Sequence, residues 1–581
     1  MKYTEYILFA LCLLLYGNTI QHGFVMDDIS VLTEHKHVQQ GISGIVDIFK
    51  EDSFAAYLSK LGYSEQIITG GRYRPLSLAV FAVGITLWGN NPLYFHMLNI
   101  LLFAACTLVF YRLVRTLLPN QPLSALAAAV LFAVHPIHTE VVANIKSADE
   151  LLAFLFGAIA VTIAIKPDFS IKNQIISGVL MLLALFSKEI ALVWVVLMPL
   201  FRFFLLQENV KKVATLSLCP IVAALLYIGV RSAVIAHPAA GTMMQDPMNN
   251  PMINVQGQWL NTNAKASDAL DNIWRFKGEN RPFTLAERTA TVSFILLQYV
   301  KLMFVPYPLS HDYSPFHIRV KNWSDPMVLF SCAFIVGLLV WSLWALFWKR
   351  KLAGWAGLWF ILPLIPVCNL FFTVGTLLAE RFLMMPSGGF CLLLGLGMGY
   401  LFQKNLHFTT VLGGLVALAL SGLTILRNQA WKSNETLLET DMNHTPQSAH
   451  IYLSYGDLKV RAALAMKDSL AQAAALRKTI PILEKGLSLH PLHYMAWHGI
   501  GIAHFTLKDY ESAIKDYQIA NVLFYTDLRT KQNLAASIRQ QGQVFMRKGS
   551  TSQAIRYLEK AYQLSPDSTI LPMLTQLKQQ K

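Results

Sequence analysis

The chain has little charge for its length. Only 14% of its 581 residues are Asp, Glu, Lys or Arg, whereas 54% are hydrophobic; an average soluble domain is about 25% charged. The mean hydropathy is +0.43. This composition excludes an ordinary soluble protein and predicts an all-α, polytopic membrane protein.

Acidic residues and paired cysteines are also scarce. The 48 Lys and Arg residues exceed the 34 Asp and Glu residues, for a net charge of +14. The basic residues stand at the ends of apolar segments and in the tail, as topology-setting loops require, so we expect no nucleic-acid partner. The six cysteines lie in or beside apolar segments without a CxxC spacing. They are predicted to be small core residues rather than disulfides or metal ligands.

Long apolar runs dominate the chain up to residue 427. A bilayer core of roughly 30 Å needs about 20 apolar residues per helix. About eleven segments are predicted to span it: residues 5–20, 93–114, 123–142, 150–165, 174–187, 190–206, 213–235, 326–348, 354–375, 384–402 and 408–426. The first is expected to be a retained signal-anchor helix. RPLSLAVFAVGITLWG, from Arg74, is predicted to be an interfacial helix, and residues 291–309 a re-entrant or surface-lying segment.

Lys and Arg residues predict the orientation. They fall in alternate loops, beginning with Lys2 and Arg112 and ending with Lys349 and Lys404. Because positively charged loops stay on the cytoplasmic side, the N-terminus is predicted to be cytoplasmic. Loops at about 21–92 and 237–325, and everything after the last span, are then predicted to face outward.

The character of the sequence changes to a helix-patterned soluble domain at residues 428–581. Two copies of the tetratricopeptide pattern are visible, and an earlier, degraded copy begins near Tyr452. The matching positions are Trp497, Gly501, Ala513, Tyr517 and Ala520, then Gly542, Phe545, Ala554, Ala561 and Pro566. Three repeats are the practical minimum for a stacked α-solenoid. The domain is either a folded spacer or a groove that presents a polypeptide acceptor.

Ionisable residues near the predicted spans gather on the outer side. Charges at membrane depth are costly and are therefore functional candidates. They are Asp27 and Asp28 in FVMDDIS, Arg72 and Arg74 in GRYRPLS, His135, His138 and Glu140 in HPIHTE, Lys188 and Glu189 in SKE, His311 and Asp312 in HDYS, and Glu380 and Arg381 in AER. Transporters place such groups near the midplane, so gathering at one face argues against transport.

Acids beside cations predict group transfer from a lipid-linked anionic donor. Two adjacent carboxylates disfavour simultaneous ionisation, so one pKa rises and the pair can supply a general base. Lys188 and Arg381, with Arg72 or Arg74, are suited to hold a lipid phosphate, because Arg offers it a bidentate fork and Lys a point charge.

The same motifs carry a resemblance over nearly the whole chain. In order they are FVMDDIS, YRPL, FAVHPIHTEVVANIKSADELLA, LFSKE, AERFLMMPSGGFC and RNQAWKSNETLL, followed by tetratricopeptide repeats. They resemble the family of transmembrane and tetratricopeptide repeat-containing protein O-mannosyltransferases, within the GT-C superfamily of glycosyltransferases. We expect a bacterial member in the cytoplasmic membrane with its site facing the periplasm; an endoplasmic reticulum membrane is the alternative.

The resemblance implies an inverting transfer of a sugar, most simply mannose, from polyprenyl phosphate to a Ser or Thr hydroxyl. It implies Asp27 as the base, with Asp28 in support, and Arg381 and Lys188 as the groups that stabilise the departing phosphate. The lipid-linked donor is a co-substrate, and no further cofactor and no metal is implied. The remaining candidates are expected to position the substrates: His135, His138, Glu140, Glu189, His311, Asp312 and Glu380.

Each signal also has a plainer interpretation. Asp27 and Asp28 could cap a helix, and HPIHTE could bind a metal or merely cap a span at Pro136. Lys188 could snorkel to the interface, and Glu380 with Arg381 could be a structural ion pair. The alternative functions are a GT-C transferase acting on a lipid or polysaccharide, and a non-enzymatic membrane scaffold that uses its repeats.

Overall fold

The computed structural model describes residues 3–60, 71–166, 170–235, 250–263, 265, 268–314 and 316–579. Lys2 and parts of both predicted outer loops, residues 61–70 and 237–249, lie outside this range. So do residues 167–169 of a predicted inner loop.

The part that precedes the repeats is helical, and each predicted span overlaps a helix or a pair of helices, although the predicted span 354–375 is helical only as far as Val367. Its α-helices are Thr4–Tyr16, Lys36–Gln39, Ile45–Ile48, Ala55–Lys60, Pro75–Trp88, Pro92–Leu117, Pro122–Val134, Thr139–Ala143, Ala148–Ala164, Ile171–Ser187, Leu192–Leu200, Val210–Val234, Leu285–Phe304, Pro326–Phe347, Leu352–Ile361, Met384–Lys404 and Leu406–Ala430. Short 3-10 or π-helical turns lie between several of them. Ile29–Thr33 is a π turn, and Pro136–His138, Glu189–Ala191 and Glu380–Leu383 are 3-10 turns. The predicted all-α membrane fold is confirmed.

Fewer of these helices are long enough to cross a bilayer than the eleven expected. Six described helices have the length and apolar composition of a membrane span, and a seventh is counted if the bent pair Pro122–Val134 and Pro136–Ala143, with an angle of 48° between its halves, is one span. Proline shortens several others. The helix Leu352–Ile361 passes into a 3-10 turn that contains Pro363 and Pro366, and Leu192–Leu200 passes into a π turn after Pro199.

The segment 291–309 forms most of the helix Leu285–Phe304. This helix begins with a capping box in which the Thr284 hydroxyl accepts from the Glu287 N–H and the Glu287 carboxylate accepts from the Thr284 N–H. It is not among the six helices with the character of a span. Its re-entrant or surface-lying placement stays a prediction.

Large aromatic side chains fill the core between the apolar helices. Trp194, Trp355 and Trp359 are fully buried, and glycines on neighbouring helices make room for them. A Cβ at Gly157 would lie 2.2 Å from Cδ1 of Trp194, and one at Gly388 would lie 2.3 Å from Cζ2 of Trp359. Such close packing fixes the ends of these helices relative to one another.

A β-hairpin lies between residues 237 and 290, a range that is predicted only to belong to an outer loop. Its antiparallel strands are Ile253–Asn261 and Trp274–Pro282, with Ile253 opposite Pro282. The hairpin reaches the repeat domain: Trp259 Nε1 donates to the Pro491 carbonyl at 2.8 Å, and Trp274 Nε1 donates to Gln518 Oε1 at 3.0 Å.

The repeat region forms stacked helix pairs, as the offsets predict. After Asn434–His444, its helices are Ala449–Leu464, Ser469–Leu489, Tyr494–Thr506, Tyr510–Leu523, Leu528–Arg547, Thr551–Leu564 and Ile570–Gln579. Glycines lie where paired helices approach closely. A Cβ at Gly501 would lie 2.9 Å from the Tyr517 ring, and one at Gly456 would lie 2.4 Å from Leu483.

Candidate functional site

A cluster of charged side chains forms where several helix ends meet. The elements are the loop after Thr4–Tyr16, the residues just before Pro75–Trp88, the start of Ala148–Ala164, the break after Ile171–Ser187, and the turn Glu380–Leu383. Helix ends leave backbone N–H and C=O groups unpaired, so polar side chains are tolerated there at less cost than within a helix. We call this group the charge cluster: Asp27, Asp28, Arg72, Arg74, Glu140, Lys146, Asp149, Glu150, Lys188, Glu189 and Arg381.

The two adjacent aspartates have different environments. Asp28 is fully buried, and its two carboxylate oxygens accept hydrogen bonds from the backbone N–H groups of Val25 at 2.9 Å and Lys146 at 2.8 Å. Asp27 is half-buried, and within the described part of the chain no group donates a hydrogen bond to its carboxylate. Asp28 therefore braces the loop, whereas the Asp27 carboxylate is not held by any donor that the structure describes.

The backbone before Asp27 is held in an uncommon conformation. Met26 has φ of 51°, a left-handed value that few non-glycine residues adopt. Its N–H donates to Asn434 Oδ1 at 2.7 Å, and its side chain packs beside Val25 and Trp431. The first residues of the repeat region thus fix the loop that carries Asp27.

The pKa values of the two aspartates move apart. Burial raises the pKa of Asp28 to about 7, helped by the charge of Asp27 and opposed by its two backbone hydrogen bonds. Burial also acts to raise the pKa of Asp27, but Lys146, Arg381 and other nearby cations outweigh it and lower that pKa. The rise expected for one member of the pair therefore falls on Asp28, the aspartate with no free oxygen.

Most cations of the cluster are already paired with carboxylates. Lys188 bonds to Glu150. Arg74 bonds to Glu189 at 2.6 Å and to Asp149 at 2.8 Å.

Arg381 pairs with Glu140, because its Nη1 lies 2.5 Å from Glu140 Oε1 and its backbone N–H donates to Oε2 at 2.8 Å. The ring of Phe382 lies 5.5 Å from Lys188 Nζ and 5.2 Å from Arg381 Cζ, and so links the two pairs. Glu380 turns away from Arg381, so this adjacent pair is not an ion pair.

Arg72 is the exception among these cations. Its guanidinium lies 5.0 Å from the centre of the Phe54 ring, and it forms no ion pair with any residue that the structure describes. The backbone around it is fixed, since its N–H donates to Asp52 at 2.5 Å and its carbonyl accepts from Ser53 at 2.7 Å. A Cβ at Gly375 would lie 3.2 Å from Arg72 Nη2, so the glycine leaves room for the guanidinium.

The two histidines of HPIHTE do not join the charge cluster. His135 Nδ1 accepts from the N–H of Ile137 at 3.2 Å, and its Nε2 lies 3.0 Å from the Met303 carbonyl. His138 Nε2 lies 2.9 Å from the Ser387 hydroxyl, and its ring packs against Phe132. His135 caps a turn, as in the plainer interpretation, and only Glu140 of this motif reaches the cluster.

The remaining candidates form a second polar group beside the repeat domain. Glu380 accepts from the Ser310 N–H at 2.5 Å and from the Tyr313 hydroxyl at 2.9 Å. His311 bonds to Asp441 at 2.9 Å, and Asp441 also pairs with Arg427 at 2.6 Å. Asp312 bonds to His450, a histidine of the repeat-region helix Ala449–Leu464.

Sequence reasoning missed Lys146, Asp149 and Glu150. They open an apolar helix, and three charges within five residues of IKSADELLA were a usable signal, because buried charges are normally paired. Asp441 and His450 had no comparable signal, since both belong to the repeat region. No group of three or more His, Cys, Asp or Glu residues suited to a metal ion occurs among the described residues.

Comparisons with known proteins agree with the resemblance. A tetratricopeptide repeat family model matches residues 540–568. The chain is 28% identical to human Protein O-mannosyl-transferase TMTC1, with 84% of this chain and 55% of that protein covered. It is 27% identical to Protein O-mannosyl-transferase F38B6.6 of Caenorhabditis elegans, with 78% and 59% covered.

A third relative, Protein O-mannosyl-transferase Tmtc1 of Drosophila melanogaster, is 27% identical, with 76% of this chain and 57% of that protein covered. The chain thus spans a little over half the length of these curated relatives. Among solved structures, a chain of the APC/C hetero-tetramer Cut9-Hcn1 matches at 13% identity over 86% of this chain and 93% of that chain, with a TM-score of 0.18, which is too low to relate the two folds.

Proposed function

We propose that this chain is a membrane glycosyltransferase that moves mannose from polyprenyl phosphate to a Ser or Thr hydroxyl of a polypeptide, with inversion at the sugar. The observation that carries the proposal is the pair of opposite charges, Asp27 and Arg72, that stay without ion-pair partners among the described residues while the surrounding cations are paired. The names of the relatives support the class of reaction.

Asp27 is the general base in this proposal. A base must first reach the proton it removes, and its pKa matters second. The Asp27 carboxylate has free oxygens and partial exposure, whereas both oxygens of Asp28 are occupied. Asp27 takes the proton of the acceptor hydroxyl as the hydroxyl oxygen bonds to C1 of the sugar, and the bond from C1 to the phosphate oxygen breaks on the opposite face.

Arg72 is the principal phosphate ligand, with Arg381 beside it. A guanidinium without an ion pair can offer its donors to an incoming phosphate at no cost in lost partners. One guanidinium nitrogen of Arg381 bonds to Glu140, and its remaining N–H groups can donate to a phosphate. Lys188 is bonded to Glu150, so its role shifts from ligand to support. Both arginines stabilise the negative charge that develops on the leaving polyprenyl phosphate.

The repeats are proposed to bring the polypeptide acceptor to the cluster. A lipid or polysaccharide acceptor is the alternative, for which removal of residues 440–581 should leave transfer intact. That deletion would also remove Asp441 and leave Arg427 buried without its carboxylate, which costs about 3–5 kcal/mol. Loss of activity on truncation would therefore not identify the acceptor, and acceptors must be compared on the full chain.

The compartment and the absence of a metal are part of the proposal. We propose a bacterial inner membrane with the site facing the periplasm, and an endoplasmic reticulum membrane is the alternative. The relatives above come from animals and do not support a bacterial origin. Because Arg72 and Arg381 supply the positive charge at the phosphate, activity should survive an excess of chelator.

The test is transfer by the purified full chain. It is incubated with radiolabelled polyprenyl-phosphate mannose and, separately, with Ser- and Thr-containing peptides, glycolipids and oligosaccharides. Label on a peptide hydroxyl supports the proposal, and label only on a lipid or an oligosaccharide supports the alternative. A chain that binds donor yet transfers to none of them, with Asp27→Asn indistinguishable from wild type, would support the scaffold.

A further inference from the structure

One residue of the repeat domain, His450, bonds to a loop that also contacts Glu380, the neighbour of Arg381. His450 is the second residue of the helix Ala449–Leu464, two residues after Ser448, whose hydroxyl donates to the Ser314 carbonyl at 2.7 Å. This contact and the bond between His311 and Asp441 seat the start of the repeat domain on the loop 310–314. His450 therefore occupies a fixed place relative to the membrane helices.

One edge of the His450 ring is held and the other is free. Nδ1 bonds to Asp312 Oδ2. Asp312 is itself fixed, because its Oδ1 accepts from the N–H of Ser314 at 2.8 Å. Nε2 has no hydrogen-bond partner in the described part of the chain, and the side chain is 31% exposed. An imidazole ring that is held through Nδ1, with Nε2 available, is suited to bind a ligand.

Asp312 places His450 near the charge cluster, because the Thr376 hydroxyl donates to Asp312 Oδ1 at 3.3 Å and a Cβ on the adjacent Gly375 would lie 3.2 Å from Arg72 Nη2. Burial disfavours the imidazolium, but Asp312 and Asp27 outweigh it and raise the pKa of His450 above its usual value. The charge of His450 in turn helps to lower the pKa of Asp27, together with Lys146, Arg381 and Arg72. The His311 ring is the other titratable neighbour, with its centre 6.0 Å from that of His450. The raised pKa extends to higher pH the imidazolium form, in which Nε2 carries a proton that it can donate in a hydrogen bond while Nδ1 donates to Asp312.

We propose that His450 determines acceptor binding: with Nδ1 held by Asp312, its Nε2–H donates a hydrogen bond to an oxygen of the acceptor polypeptide that enters between the repeat domain and Asp27. This inference rests on the proposed function. In this proposal the repeat domain contributes a hydrogen-bond donor, the Nε2–H of His450, to the site. The sugar of the donor also carries oxygens, so the test must separate the two substrates.

The test compares wild type with His450→Asn and His450→Gln. The Asn amide nitrogen takes the place of Nδ1 and keeps the bond to Asp312 but offers nothing at Nε2. The Gln amide nitrogen reaches the place of Nε2 and donates at every pH. KM for a Ser/Thr peptide and KM for polyprenyl-phosphate mannose are measured separately at pH 6 and pH 8.5. His504→Asn is the matched control, because His504 Nδ1 bonds to Asp516 at 2.7 Å within the repeats.

The expected results are specific to the acceptor. His450→Asn raises the peptide KM by about tenfold, the effect expected from the loss of one hydrogen bond from a charged donor, and leaves the KM for polyprenyl-phosphate mannose within about twofold. Wild type loses peptide affinity from pH 6 to pH 8.5, as the imidazolium loses its proton, whereas His450→Gln does not. His504→Asn behaves as wild type.

Other outcomes would overturn the proposal. These are an unchanged peptide KM in His450→Asn, a change confined to the donor KM, or an equal loss of peptide affinity with pH in His450→Gln. Peptide binding without donor, followed by fluorescence anisotropy, separates this proposal from the function on which it rests. Weaker binding by His450→Asn together with no transfer by wild type would refute the transferase and leave the acceptor contact standing.

Discussion

Replacement of Asp27 by Asn tests the base directly. The two side chains have nearly the same shape, and no hydrogen bond to the carboxylate is lost, because none exists among the described residues. The main loss is proton transfer, which a positioned base accelerates by about 10²–10⁴. We therefore expect kcat to fall by at least about a hundredfold, with the donor KM little changed.

Asp27→Asn should lower the free energy of unfolding only modestly, and this loss should depend on pH. The folded-state pKa of Asp27 is lowered, so its ionised form stabilises the fold above its ordinary pKa of 3.8, and that contribution is lost as the pH falls through the lowered value. Asn removes this contribution at neutral pH, but no direct ion pair is broken. The cost should stay well below the roughly 3–5 kcal/mol of a broken buried pair.

Asp28→Asn is the matched control because it should show the reverse pattern. One of its two backbone donors, the N–H of Val25 or of Lys146, would face an amide N–H instead of an oxygen. The expected cost is about 1–3 kcal/mol, seen as a lower midpoint in thermal unfolding. Transfer assays and thermal scans in the same detergent measure both variants. If Asp27→Asn keeps more than about a tenth of wild-type kcat, or if Asp28→Asn alone abolishes transfer in a folded protein, the assignment of the base is wrong.

Four further changes test the surroundings of the site. Arg72→Met should lower kcat/KM for the donor by roughly 10- to 100-fold, the effect of losing one or two charge-assisted hydrogen bonds. The thermal midpoint should not fall, because Arg72 has no ion pair among the described residues. Lys188→Met should instead lower the thermal midpoint strongly, since Glu150 is left buried and unpaired, at about 3–5 kcal/mol. Gly375→Val should raise the donor KM in a folded protein, because its side chain would crowd Arg72 Nη2. Arg556→Gln breaks ion pairs to the hairpin that are partly exposed, so unfolding measurements should show a change of less than about 1 kcal/mol per pair and transfer assays no loss.

The helices were predictable because their signal is local. Apolar runs of about 20 residues have few alternatives to a helix, and the glycine at position 501 falls where a tetratricopeptide pair needs a small residue against Tyr517. The number of spans was less predictable. Prolines such as Pro199 and Pro363 interrupt segments whose composition alone resembles a continuous span.

The site was predictable only in part, because composition and order do not show which side chains meet. The grouping of Asp27 with Arg72 and Arg381 followed from a shared membrane face. No sequence pattern predicts that His135 bonds to the Met303 carbonyl rather than joining the charge cluster, or that Lys188 is bonded to Glu150. The histidine at position 450 lies more than 400 residues from Asp27, and only the folded chain brings the two together.

The anchoring of their backbones also explains how Asp27 and Arg72 can belong to one charge cluster without forming an ion pair with each other. Opposite charges that approach freely form an ion pair, and such a pair would mask both the base and the phosphate ligand. Here Met26, in its left-handed conformation, and its bond to Asn434 fix the loop of Asp27, while Asp52 and Ser53 fix the backbone of Arg72. The strain at Met26, of order 1–3 kcal/mol, is therefore consistent with a loop held in place so that its carboxylate stays available. Because Asn434 begins the helix that leads into the repeats, the repeat region contributes to the geometry of the base as well as to its electrostatic surroundings.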